Sequence, residues 1–340
     1  MQNEIKKILS SEEYDFLHTN EHLGNNIILL TLGGSRAYGT NNAESDWDFR
    51  GIALNRPQDL IGLSEFEQVV ETNTDTTIYS FNKIIKLLLN CNPNVIEMLG
   101  CKPEHYAVLT SVGQQLLDNK KLFLSQKAAQ SFGGYSNQQL RRMENALARD
   151  SYPQKEKERH ILGSCMTAMM TFGERYTNFE NGSMKLFIDK SKNEELDSEI
   201  FLDVNLSHYP LRDYKNIWSD MNNIVKDYGK LNKRNRKKDD AHLNKHAMHL
   251  IRLYLMCLDI LEKEEIITYR ENDIEMLMEI RNGKYQKEDK TYRPEFFEMV
   301  NEYEKRMEYA TANSSLPEFP DYKKVEEFVM EINKKIITNM

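Results

Sequence analysis

Apolar positions change their spacing partway along this 340-residue chain. Ile27-Ile28-Leu29-Leu30-Thr31-Leu32 is an unbroken run of mostly branched side chains, which predicts a strand buried on both faces. Residues 45–54, 65–72 and 75–81 predict further strands, the last two around an Asn-Thr turn. Helical spacing frames them at residues 3–16, 81–90 and 105–119, and Asn92-Pro93 supplies a cap and a first-turn proline for a short helix between. Beyond residue 124 strand signals fade. Residues 160–176, 240–264, 292–307 and 322–335 read as helices. The stretch 125–149 holds a helical face, 178–210 reads as an irregular polar excursion, and 314–321 as a connector. The pattern predicts an α+β chain: a small mixed sheet with helices over residues 1–124, then an all-α domain over residues 125–340.

Composition narrows the classes. An apolar fraction of 40% supports a sizeable core, and a net charge of −8 argues against a general basic coat for nucleic acid. One dense cationic run, KLNKRNRKK at residues 230–238, stands out from that acidic background and could attract an RNA or DNA backbone. Cys91, Cys101, Cys165 and Cys257 have no C-x-x-C spacing, so reduced thiols in a cytoplasm are expected and a zinc site is not. The first residues are amphipathic and acidic in their second half, unlike a signal peptide. No apolar run reaches membrane-spanning length.

Candidate chemistry gathers between the first two strands. Gly33-Gly34-Ser35 ends the first strand abruptly, and glycines let backbone N–H groups turn toward an anion. Ser35 adds a hydroxyl and Arg36 a fixed positive charge, at the start of a short helical piece that favours phosphate. Asp46 and Asp48 are two apart, so on a strand their carboxylates share a face, with Cα atoms about 6.5 Å apart. Trp47 and Phe49 then face the core. Two close carboxylates repel unless a cation joins them, and oxygen-only ligation favours magnesium or manganese. Far downstream, Lys245, His249 and Arg252 are spaced four and three apart on one predicted helix, a row of donors suited to a triphosphate.

Taken together, GSRAYGT followed by SDWDFRG resembles the signature of the DNA polymerase beta nucleotidyltransferase superfamily, a GS pair followed by an hDxDh strand. Within it, the chain is similar to the RlaP-type branch of bacterial and phage proteins with a predicted RNA-repair role. The segments around Asn92-Pro93-Asn94, KHAMHLIRL and Ile280-Arg281-Asn282-Gly283 resemble that branch as well.

The resemblance implies a polymerase-beta-type core, a nucleoside triphosphate (ATP among them) as substrate, and transfer of its monophosphate to an acceptor hydroxyl, with an RNA end the leading candidate. It implies Asp46 and Asp48 as metal ligands, a third carboxylate at Asp75 or else Glu71, and Gly34, Ser35, Arg36, Lys245, His249 and Arg252 as nucleotide-binding residues. Glu97 is an outside candidate for a place in the site. Two other readings remain: nucleotidylation (AMPylation) of a protein hydroxyl, and a catalytically silent nucleic-acid-binding protein on the same fold. Removing the cations of Lys233–Lys238 is expected to weaken RNA binding and flatten its salt dependence by about one log–log unit for each phosphate no longer neutralised. Filter binding across a salt series checks this, and an unchanged slope refutes it.

Overall fold

The computed structural model describes residues 1–151, 184–190, 198–212, 214–219, 221–222, 240–289 and 291–338. The expected helix at 160–176 and the basic run at 230–238 lie outside them.

Five strands form the main sheet: β1 (Ile27–Leu32), β2 (Phe49–Ala53), β3 (Gln68–Glu71), β4 (Thr76–Ser80) and β5 (Tyr106–Leu109), in the order β3-β4-β2-β1-β5. β1 lies antiparallel to both β2 and β5, β2 runs parallel to β4, and β3 is antiparallel to β4. This is the small mixed sheet that the sequence predicts, and every residue of β1 is buried. Two expectations are corrected. Residues 105–119 are not one helix: β5 comes first, and Thr110 caps a helix over Ser111–Asp118 by accepting from the Gly113 N–H. Four apolar residues such as Tyr106–Leu109 cannot be assigned by periodicity alone. The N-terminal helix stops at Leu9, and short helical turns at Glu12–Tyr14 and Phe16–Thr19 follow instead of a continuation to residue 16.

Alternation sends the strand residues into two apolar layers. On one face Leu30, Leu32, Phe49, Ala53 and Ile78 pack with Ile5 of the helix Gln2–Leu9 and with Tyr14, Leu17 and Leu23. On the other, Leu29 and Ile52 meet the helix Phe81–Leu88 through Phe81, Ile84, Ile85 and Leu88. That second layer also takes Leu253, Met256, Cys257 and Ile260 from the helix Asp240–Lys263, and Val325 and Ile332 from the helix Tyr322–Thr338. The helix Asp240–Lys263 does more than present one apolar stripe. From Leu250 to Leu261 every side chain is buried, as in a helix surrounded by protein.

The chain divides into two compact units. The first comprises residues 1–139, 248–282 and 297–340, and the second residues 140–247 and 283–296. Both apolar layers of the main sheet belong to the first. The second contains an antiparallel strand pair, β6 (Met184–Lys190) with β7 (Ser198–Val204), where the sequence suggested irregular chain. Its Phe187 and Phe201 stack across the strands with ring centroids 6.0 Å apart. Such pairing is non-local, and among the described side chains Phe187, Leu202 and Val204 are exposed.

Gly51 sits at the centre of the main sheet. A Cβ there would lie 2.8 Å from the Leu29 carbonyl oxygen and 2.7 Å from Ile78 Cδ1. Gly51→Ala is therefore expected to destabilise the protein by about 1–3 kcal/mol, the usual range for overpacking. Urea unfolding checks it; an unchanged midpoint would show that the sheet can open there freely.

Candidate active site

The site begins where β1 ends. The Gly33 N–H donates to the Asp48 carbonyl at 2.8 Å, extending the β1–β2 pairing one step past both strands. Gly34 then takes φ +57°, in the left-handed region, and opens the five-residue helix Gly34–Tyr38. A side chain there would also overlap the Asp48 carboxylate. Two separate requirements thus select glycine: its backbone angle and the space the carboxylate occupies. Gly39 ends the helix with φ +80° and its N–H on the Ser35 carbonyl, a left-handed helix cap.

The second strand is shorter than expected. It starts at Phe49, and residues 45–48 approach it outside the regular ladder. Asp46 is exposed and Asp48 half-buried, whereas Phe49 is fully buried and Trp47 packs against the same layer, as alternation predicts. Arg36 holds this approach in place. Its Nη2 donates to the Ser45 carbonyl at 2.9 Å, its Nε to the Asp46 carbonyl at 3.1 Å, and its guanidinium lies 3.9 Å from the Trp47 ring centroid. A guanidinium so engaged orients the aspartate-bearing segment.

Asp75 stands level with Asp48. The parallel register pairs Arg50 with Thr77, and both aspartates lie two residues before that pair. Yet Asp75 has φ +42° and an exposed side chain, and its Oδ1 accepts from Arg50 Nη2 at 3.2 Å. Arg50 Nη1 also donates to the Asp75 carbonyl. Glu71 turns back into the β3–β4 turn, accepting from the Asn73 N–H at 3.2 Å. Among the described residues no three His, Cys, Asp or Glu side chains are grouped so as to hold a metal ion. Asp46 and Asp48 offer the oxygen donors that a hard divalent cation prefers. Asp75, the expected third ligand, is engaged by Arg50.

Behind the glycine turn lies a buried polar cluster. The Glu97 carboxylate accepts from the Tyr38 hydroxyl at 2.7 Å and from Arg252 Nη1 at 3.2 Å, and the Arg252 guanidinium stacks 3.7 Å from the Tyr38 ring centroid. His249 meets the same ring edge-on at 6.3 Å. The Arg252 Nε is buried without a hydrogen-bond partner among the described residues. The Arg270 N–H donates to the Tyr38 carbonyl at 3.0 Å, and Arg281 Nη1 to the Thr40 carbonyl. Of the donor row on the helix Asp240–Lys263, then, His249 and Arg252 both reach Tyr38. Lys245 is exposed and belongs to the second unit. Arg50 and Glu97 are the site residues that sequence reasoning undervalued. Each stands in a recognisable motif, but the partner that gives it meaning is 25 residues away for Arg50 and 155 for Glu97.

Burial raises the carboxyl of Glu97 above its ordinary range, with Arg252 and the Tyr38 hydroxyl pulling it back. Burial also raises the Tyr38 phenol, which stays protonated and donates.

A mixed sheet with helices on both faces, a GS turn seated on an aspartate and a second aspartate two residues before it define a polymerase-beta-type nucleotidyltransferase core. Residues 2–331 match the family model described as RlaP: RNA repair pathway DNA polymerase beta family, and the chain belongs to that family. It is thus a polymerase-beta-like nucleotidyltransferase of a family tied to RNA repair. No curated protein and no solved structure matches the chain.

A carboxyl raised by folding favours the folded state most below its unfolded pKa, and that contribution is lost as pH rises through the folded value. Wild type is therefore expected to lose stability relative to Glu97→Gln between about pH 5 and about pH 8. Urea unfolding of both proteins at the two ends decides it. A relative gain by wild type would mean that the Arg252 charge outweighs burial.

Proposed function

We propose that this protein transfers a nucleoside monophosphate from a nucleoside triphosphate to an acceptor hydroxyl, with an RNA end as the acceptor. The observation that carries the reading is the Asp48 carboxylate lying in the space that a Gly34 side chain would fill. An acid is thereby fixed beside the glycine turn, where a triphosphate's own negative charge would otherwise be repelled. Such an arrangement suits a bound cation and is costly for a protein that only grips phosphates.

In this reading Asp46 and Asp48 would hold magnesium or manganese, whose charge would offset that of the phosphates. Gly34 and Ser35 present the backbone N–H groups and hydroxyl of the turn to the β- and γ-phosphates. The acceptor oxygen bonds to the α-phosphorus, the bond from that phosphorus to the bridging oxygen breaks, and pyrophosphate leaves. The hydroxyl proton passes to a carboxylate, for which Asp75 is placed level with Asp48. Arg252 and His249 stiffen the turn through Tyr38. Catalysis by such a site is largely positioning and electrostatics.

Incubation with each labelled triphosphate, magnesium or manganese, and a pool of RNA, DNA and protein tests the function and the acceptor together. Label in RNA is expected, and Asp48→Ala is expected to reduce it by roughly a hundredfold or more. Label in protein alone would move the reading to protein nucleotidylation. No label with any triphosphate, combined with equal RNA binding by wild type and Asp48→Ala, would leave a silent binder.

A further inference from the structure

The Arg50–Asp75 pair sits uneasily with a site meant to gather carboxylates. β2 carries Arg50 two residues after Asp48, so along the chain a cation follows the acid on the same face. Arg50 then reaches across to β4 and takes both the carboxylate and the carbonyl of Asp75. Asp75 meets it in a left-handed backbone conformation that side-chain-bearing residues adopt at a cost, though aspartate tolerates it better than most. Its carboxylate is 67% exposed and Arg50 is 20% exposed, and pairs with so exposed a partner contribute little net stability. Arg50 has other claims on it, for it lies within electrostatic reach of Glu97, Tyr38 and Tyr79. The pair is thus weak, strained at one end and placed level with Asp48.

We propose that Arg50 is an internal stand-in for the divalent cation: it holds Asp75 in the free protein, and yields it when metal and triphosphate arrive, turning its guanidinium to a phosphate oxygen. This rests on the metal-dependent reading above. Charge accounts for the exchange. Without substrate, Asp46, Asp48 and Asp75 are three carboxylates; the Arg36 guanidinium is engaged by the Ser45 and Asp46 carbonyls, and that of Arg50 offsets part of their repulsion. With substrate, the cation takes over that neutralisation and the triphosphate brings the negative charge that a released guanidinium needs. A planar fork with paired donors suits a carboxylate in one state and a phosphate in the other, which a lysine's point charge serves less well. Arg50 is then a positioning residue in the free protein and a substrate ligand in the loaded one.

The test measures manganese binding to the full-length protein by electron paramagnetic resonance, first without nucleotide. Arg50→Gln is expected to bind manganese about tenfold more tightly than wild type, because a competing positive charge has gone. The gain should vanish in Arg50→Gln/Asp75→Asn, and Arg50→Lys should fall between wild type and Arg50→Gln. With a non-hydrolysable triphosphate present the order should reverse, Arg50→Gln binding the nucleotide more weakly. Equal or weaker manganese binding by Arg50→Gln, or a gain that survives loss of Asp75, overturns the proposal. Should Arg50→Gln fail to fold, Arg50→Lys with and without Asp75→Asn gives the same comparison. Asp46→Asn/Asp48→Asn separates the two levels. If that double variant binds manganese as wild type does, the metal-site reading itself fails. If it loses manganese while Arg50→Gln is unchanged, the Arg50 inference alone fails.

Discussion

A buried carboxylate needs a positive partner, and Glu97 finds its partner 155 residues further along the chain. That necessity shapes the first unit. Arg252 reaches Glu97 only because the helix Asp240–Lys263 runs through the interior, and it covers the Tyr38 ring in doing so. Tyr38 in turn ends the short helix that begins at Gly34. Glycine turn, aspartate approach and distant helix are therefore one mechanical assembly, in which the Glu97 pair is the tie. Removing one member would leave a buried charge without compensation, a larger loss than that of an exposed ion pair.

The same assembly explains why the aspartates can be held close to the turn. Three devices act on residues 45–48: the Gly33–Asp48 backbone bond, the space left open at Gly34, and the Arg36 clamp on the Ser45 and Asp46 carbonyls. None of them uses the carboxylate of Asp46. That side chain remains exposed, while Asp48 is half-buried against the turn. Residues 45–48 are thus preorganised through backbone and cation interactions that do not draw on the Asp46 carboxylate.

Much of this is legible in the sequence where the information is local. β1 announces itself because six consecutive residues are buried. The helix Phe81–Leu88 follows from Phe81, Ile84, Ile85 and Leu88 at helical spacing, and its successor from the Asn92 cap, whose side chain accepts from the Asn94 N–H. The GS turn and the Asp46/Asp48 pair are readable for the same reason. What the sequence hides depends on partners. β5 is too short to show a period, and β6 and β7 have meaning only as a pair. The sequence marks Arg36 as a cation, but a lone guanidinium carries no record of the Ser45 and Asp46 carbonyls it will meet. Arg50 and Glu97 are undervalued for that reason too.

The composition of the first unit also has a bearing on synthesis. A ribosome delivers residues 1–139 first, complete with all five strands of the main sheet. One layer of that sheet can close at once on Ile5, Tyr14 and Leu17. The other must wait for Leu253 to Ile260 and then for Val325 and Ile332, more than a hundred residues later. Until then Leu29, Ile52 and the helix Phe81–Leu88 have only the part of their cover that residues 95–132 supply, and Glu97 lacks its arginine. The nascent chain thus spends much of its translation with an apolar face open to unwanted association. The glycine turn is among the last features to gain its full support, so a prematurely released fragment would carry the aspartates without the Arg252 contact that backs their turn.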